Sequence, residues 1–577
     1  MISGTGVVNQ IGSGVTTLSG ASTYTGATNI NAGTLSVDGS LVSTVNVNSG
    51  GTLAGTGAIG GLNVASGGIV APGHSIGTIT VNGPVAFAAG STYTVETNAA
   101  GQSDKIVATG KATLSGGTVQ VLAANGNYSP STQYTILAAA GGVTGTFGSV
   151  TSNLAFLAPS LSYDANDVFL TLVRNASAFS SVAQTFNQRA VAGALDASPF
   201  GSALVQAVLP LTAPQSLVAF DQLSGEVHAS TMGVLVDESR YMRSAVLGRL
   251  RQASYGGESS MASLSLGGPQ LAYADGAIES ALAYAKSPIV TKAPPMPAPS
   301  RGPDLAFWAQ GFGAWSKFNS DGNTAAVKRD LAGFITGFDA RFADGWRAGF
   351  AAGYTGSRNN TEGRGTANVE TGPVAAYGGV SVGHFDLRAG GAYAFHSIDT
   401  DRAILFPGFF DRATAHYQGG TGQIFGEAGY GVAFGNVAVE PFAGAAWVRL
   451  TTDGANEIGG PAALNIASNN FEVGYSTLGV RAASMMQVGD GMVLVPRASA
   501  AWQHAFNAVT PEATVAFQST GVSFIVAGVP IARDSLLAEA GLDLAINRNV
   551  TVGVSYMGQI ASNVTDHAAK GKFSWKF

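Results

Sequence analysis

Lys570-Gly571-Lys572-Phe573-Ser574-Trp575-Lys576-Phe577 is the stretch whose reading decides the fold. Phe573, Trp575 and Phe577 alternate with Lys572, Ser574 and Lys576, so the rings share one face and the cations and hydroxyl the other. A period of two belongs to a β-strand. In water such an aromatic stripe invites aggregation. Against lipid, with its polar partners turned to a wet lumen, it becomes the closing strand of a transmembrane barrel.

Working outward, the same pattern fills residues 305–577, which hold all six tryptophans. Trp346, Ala348, Phe350, Ala352 and Tyr354 share one face, while Leu536, Leu542 and Leu544 oppose Glu539 and Asp543. Charges avoid the apolar face, as hydrocarbon demands. About 12 strands are predicted, starting near Ala306, Asp330, Trp346, Ala367, His384, Ala415, Asn436, Asn470, Met492, Ser535, Val550 and Ala568. Connections alternate between tight turns (Asp344-Gly345, Gly383, Gly435, Asn547-Arg548-Asn549) and longer polar loops such as Ser357–Gly365 and Asp399–Arg412. Short turns on one side and long loops on the other fit an antiparallel outer-membrane barrel.

Residues 1–175 read differently, with only three basic and five acidic residues among abundant Ser, Thr, Asn and Gly. A diverged repeat runs through Asn29-Ile30-Asn31-Ala32-Gly33-Thr34-Leu35, Asn46-Val47-Asn48-Ser49-Gly50-Gly51-Thr52-Leu53 and Asn63-Val64-Ala65-Ser66-Gly67-Gly68-Ile69-Val70. Each unit is a short strand plus a glycine-rich corner, and such units bury their apolar face only by stacking. A right-handed parallel β-helix is expected, with a flat β-sandwich as the alternative. Residues 176–304 switch to helical signals. One helix is expected around Phe186–Leu195, a long one from Leu217 through Gln252, and a weaker one at Ile278–Lys286 before the stiff Pro294–Pro299 linker.

Composition removes whole classes of function. There is no cysteine, hence no disulfide, thiol nucleophile or thiolate metal site. A net charge of −6 argues against nucleic acid. No run offers the roughly 20 unbroken apolar residues of a membrane helix. Met1-Ile2-Ser3-Gly4-Thr5-Gly6 lacks the basic and apolar regions of an export signal, so a fragment or misassigned start is expected.

At this point the chain resembles the C-terminal half of a type V secretion autotransporter. Tyr24–Leu35 is similar to the autotransporter-associated β-strand repeat, Phe220–His228 to the pre-barrel segment, Phe307–Gly311 to the first barrel strand and Phe573–Phe577 to the last. The resemblance implies a β-helical passenger fragment (1–175) whose last rungs seed folding, a connector (176–304) and an outer-membrane translocator barrel (305–577). It implies a barrel that exports its own passenger and displays it at the cell surface. The implied partners are lipid, the barrel assembly machinery and periplasmic chaperones, with a monomeric barrel and Phe573, Trp575 and Phe577 as the assembly signal. It also implies a helix inside the lumen. Ala229–Gln252, roughly 36 Å long at 1.5 Å per residue, is the expected plug, with Ile278–Lys286 as the alternative. Arg240, Arg243, Arg249 and Arg251 are expected to meet lumen acids such as Glu440, Glu539 and Asp543. Some relatives cut their passenger at an Asn-Asn in that helix. The connector has none, so the passenger is expected to stay attached.

Two motifs tempt toward chemistry. Gly73-His74-Ser75-Ile76-Gly77 matches a nucleophile elbow, but a strand pattern, Thr78–Gly83, follows where that motif needs a helix. Gly55–Gly60 fits G-x-G-x-x-G without the helix or acid that a dinucleotide needs. Asp221, His228 and Ser230 share one helical segment and are not assumed to form a triad, and the seven histidines lack metal-ligand spacing. No enzymatic activity and no cofactor are therefore expected. The alternatives are an adhesin whose β-helix binds a surface ligand, and the remnant of a secreted enzyme with its catalytic domain upstream of Met1.

Overall fold

The computed structural model describes all residues except 125–131, 256–303, 344, 435–436 and 490–491. The chain forms two compact units.

The first unit contains a three-faced parallel β-helix built from sheets of seven, seven and eight strands. The repeat seen in the sequence sets the register: Asn29, Asn46 and Asn63 are stacked partners, as are Leu35 and Leu53. Alternation along each short strand sends one set of side chains inward. Ile30, Val47, Val64 and Phe87 stack on one face, and Leu35, Leu53, Val70 and Tyr93 on another, all buried. The outward asparagines form a ladder, each amide donating about 2.9 Å to the rung before it. The bottom of the stack changes hand of pairing: Leu157–Tyr163 and Asp167–Arg174 form an antiparallel hairpin that covers Thr132–Ala139. Short helices at Ala203–Val208 and Ala213–Leu223 also belong to this unit.

The single long helix read from Leu217 is two. Ala213–Leu223 stops, and a 30-residue helix runs from Glu226 to Tyr255. The break falls at Gly225, whose φ of +68° ends a helix without strain only because it lacks a Cβ. Ile278–Lys286 and Pro294–Pro299 lie outside the described residues.

The second unit is the barrel. Its 12 long strands are Asp304–Phe318, Val327–Ala343, Trp346–Thr361, Gly365–Val382, Phe385–Phe406, Phe409–Tyr430, Val437–Thr452, Asn469–Ser484, Val493–Ala505, Asp534–Ala545, Val550–Ile560 and Val564–Lys576, called strands 1 to 12 below. The sheet closes because strand 12 pairs antiparallel with strand 1 from Phe318↔Val564 to Ala306↔Lys576. Trp346, Phe350, Leu536, Val554, Phe573, Trp575 and Phe577 point outward and are exposed, the band that lipid covers. Among the described residues no helix is long and apolar enough to cross a membrane; the strands do the crossing.

Two predicted loops are strand. Ser357–Gly365 shrinks to the turn Glu362–Arg364, and Asp399–Arg412 to Pro407-Gly408, because strands 3 to 6 continue past the apolar band. One face of these extensions stays buried, and it mixes polar Asn359, Thr361, Thr400 and Arg402 with apolar Ile404 and Phe406, so the simple amphipathic signal disappears. Paired side chains mark these extensions, with His416 Nδ1 2.8 Å from Asp399 and Arg412 bound to Asp401.

Candidate functional site, the occupied lumen

The barrel interior is occupied by a helix of the same chain. The Glu226–Tyr255 helix lies within it, about 45 Å long at 1.5 Å per residue. Its apolar face (Tyr241, Met242, Ala245, Val246, Leu250) packs against inward residues Trp308, Phe312, Leu331, Ile335, Ala351, Tyr377 and Phe425. Tyr241 stacks on Phe312 at 5.2 Å and 9°. Strands 1, 2 and 6 therefore carry large apolar groups on both faces. The inward face is polar as expected over most of the lumen (Gln310, Ser316, Thr371, Gln503, Gln559), with an apolar patch where the helix needs cover for its own apolar stripe.

Charge fills the rest. Arg249 donates from Nε and Nη2 to the two oxygens of Asp339 at 2.6 and 2.9 Å, a bidentate fork. Arg240 reaches Asp566 at 2.7 Å, and the Tyr241 hydroxyl donates to the same carboxylate. Arg251 binds Glu427, which also receives Arg388 at 3.0 Å and Arg481 at 2.9 Å. Arg243 donates to Gln423 at 2.7 Å and sits over the Tyr475 ring. The acids singled out from the sequence sit elsewhere in the network. Glu440 holds Arg388 at 2.7 Å, and Glu539 and Asp543 hold Arg497 at 2.7 and 3.1 Å, with Lys572 also on Asp543. Asp339, Glu427 and Asp566, which take the helix arginines, were not picked out. Their only sequence signal is a lone carboxylate on the inward phase of a strand.

At its first turns the helix is capped. Ala455-Asn456, Leu464–Ile466, Glu512–Phe517 and Ser523–Ala527 form a four-stranded sheet from two long loops. Glu457 is the knot: Arg402 donates to it at 2.7 and 2.6 Å, His228 Nε2 lies 2.9 Å away, and Leu464 N–H donates at 2.8 Å. Burial would raise the Glu457 carboxyl, but Arg402 and His228 hold it well below the ordinary range. Gly528 passes so close that a Cβ would lie 2.3 Å from Ser230 N. The Ser230 hydroxyl accepts Val529 N–H at 3.0 Å.

The candidate triad thus dissolves: His228 serves Glu457 and Tyr417, Ser230 the loop, and Asp221 accepts from Gln188. In the β-helix, Gly73–Gly77 is a corner followed by the strand Thr78–Val81, with His74 paired to Asp38 at 2.8 Å on the surface. Among the described residues no cluster could hold a metal ion.

A closed lipid-facing barrel of 12 strands with a helix threaded through it, in one chain with a β-helix, defines a plugged outer-membrane translocator. Residues 307–557 match the family model described as autotransporter beta-domain, and residues 8–37 the passenger-associated transport repeat. Residues 307–557 are thus similar to the autotransporter beta-domain and residues 8–37 to the repeat of its passengers. The chain is an outer-membrane protein whose passenger is exposed at the cell surface. Two proteins named extracellular serine protease from Serratia marcescens align along the whole chain at 31% and 28% identity. The chain spans 56% of their length, about half. Among solved structures, the translocator domain of NalP from Neisseria meningitidis is 16% identical, covering 53% of this chain and 97% of that one at a TM-score of 0.40. The β-domain of Bordetella BrkA is 18% identical, covering 47% and 98% at 0.36.

The relatives correct one expectation. The expectation that the chain is not an enzyme rests on motifs within these residues alone, and the names of its relatives conflict with it. Relatives that align with its full length carry a protease name.

Proposed function

We propose that this chain exports its β-helical passenger through the outer membrane and holds it at the surface, and that it is the export portion of a secreted serine protease. The passenger (1–175), connector (176–304) and translocator (305–577) are the working parts. The observation that carries the export reading is the helix lodged in the lumen: a chain whose pre-barrel segment lies inside its own barrel has a path between the two sides of the membrane. The protease reading rests on the two Serratia relatives. The outward rings of Phe573, Trp575 and Phe577 serve as the strand that the assembly machinery engages, after delivery by periplasmic chaperones, and the barrel works as a monomer.

An epitope placed in the exposed hairpin at Asn98–Gln102 tests export. Antibody should label intact cells expressing the full chain and fail once residues 305–577 are deleted. Labelling that persists without the barrel, or that never appears with it, overturns the export reading. A fluorophosphonate probe on the natural gene product tests the protease reading: no labelled serine overturns it.

A further inference from the structure

The barrel closes at a single seam, strand 12 against strand 1, and two groups of lumen side chains bridge the strands on either side of strand 1. Asp566 on strand 12 and Arg329 on strand 2 are both register partners of Ser316 on strand 1. They bind each other across it, fully buried. The helix completes this group, since Arg240 reaches Asp566 at 2.7 Å, the Tyr241 hydroxyl donates to it at 2.8 Å, and Asp237 receives Arg329 at 3.1 Å. Toward the other end of the seam, one side chain does the same alone. Arg249 holds Asp339 on strand 2 with Nε and Nη2, and its Nη1 donates to the Ser574 hydroxyl on strand 12 at 2.9 Å. Ser574 is the register partner of Trp308 on strand 1, so the guanidinium spans the first strand.

We infer that the lumen helix is the latch of the barrel seam: while it is docked, Arg249 and the Arg240–Tyr241 pair tie strand 12 to strand 2 over strand 1, so the barrel cannot open sideways. The seam needs such a device because its backbone ladder joins the two ends of the barrel sequence, which share no turn. Elsewhere a turn holds neighbouring strands in register. Docking of the helix then seals the bore and the wall in one event. Arg249 and Ser574 are positioning residues in this scheme. The inference rests on barrel contacts and stands whether or not the passenger carries a protease.

Hydrogen–deuterium exchange of the full chain in detergent micelles reads seam opening directly. Ser574→Ala deletes one hydroxyl and only the strand-12 arm of the Arg249 bridge. It should speed amide exchange in residues 306–318 and 564–576 by about tenfold, the loss of one charge-assisted hydrogen bond, and leave 437–452 and 469–484 unchanged. Ser574→Thr, which keeps the hydroxyl, should exchange like the parent. Arg249→Met should exceed Ser574→Ala with the same local pattern. Faster exchange spread evenly around the barrel overturns the latch, as does an unchanged seam in Ser574→Ala or a Thr variant that behaves like Ala.

Discussion

Replacing Glu427 by Gln tests the lumen network at its most connected point. Its carboxylate, 3% exposed, is bound by Arg251, Arg388 and Arg481. The substitution keeps the shape and removes the charge. Each charge-assisted bond contributes about 1.5–3 kcal/mol, but the loss is not three times that. Arg388 and Arg481 still have Glu440 at 2.7 and 3.6 Å, whereas Arg251 is left against a neutral amide. The expected cost is that of breaking one buried pair, about 3–5 kcal/mol. At roughly 2–4 °C per kcal/mol for a domain near this size, the barrel should lose about 6–20 °C. The assay is the temperature at which the folded band on unheated SDS gels converts to the unfolded one. Glu472→Gln is the control, since its 3.2 Å pair with Arg449 is half-exposed and should be worth under about 1 kcal/mol. Adding Arg251→Met to Glu427→Gln should cost less than the sum of the two, because the uncompensated cation is then gone. Equal shifts for Glu427→Gln and Glu472→Gln would refute the network as a stabilising element.

Other outcomes follow from other regions. Burial pushes the Asp104 carboxyl up to about 7, against backbone N–H donors from Glu96 and Gly77. An unfolded Asp ionises near 3.9, so between about pH 4 and 7 the native passenger holds a proton that the unfolded chain has lost, and its stability falls as pH rises through that window. The ceiling is about 4 kcal/mol, cut to roughly 1–2 by solvent screening. Asp104→Asn should flatten the dependence seen in limited proteolysis of residues 1–175. Gly528→Ala forces loop backbone off Ser230 and should increase protease nicking within 508–533 while strands 7 and 8 stay protected. Intact cells should carry passenger and barrel as one covalent polypeptide, since the lumen helix contains no Asn-Asn; a separate barrel band on gels would contradict this.

What could be read from the sequence follows from where the environment selects residues one at a time. Lipid accepts Phe573, Trp575 and Phe577 and rejects charge, so the strand count and the C-terminal strand stood out. Rung stacking repeats the same asparagine and leucine at about 17-residue intervals, so the β-helix was visible too. The lumen was harder. Arg249 finds Asp339 across 90 residues and Ser574 across 325, a pairing fixed by strand register and helix depth together. Trp308, Phe312 and Phe425 obscured the inward phase because both faces of their strands are apolar. Strands 3 to 6 outrun the turns read from the sequence, and the buried face of their extensions mixes Asn359, Thr361 and Arg402 with Ile404 and Phe406, so no single-face pattern separates strand from loop there.

The helix in the lumen is the centre of the account, and a crosslink tests it most directly. The chain has no cysteine, so Ser244→Cys with Met557→Cys introduces a single pair where the parent oxygen and sulfur lie 3.6 Å apart. Oxidised in intact outer membranes, the pair should form an intramolecular disulfide in nearly all molecules, seen as a faster band that dithiothreitol reverses. Free thiols open to maleimide, or crosslinks only between molecules, would place the helix outside the barrel.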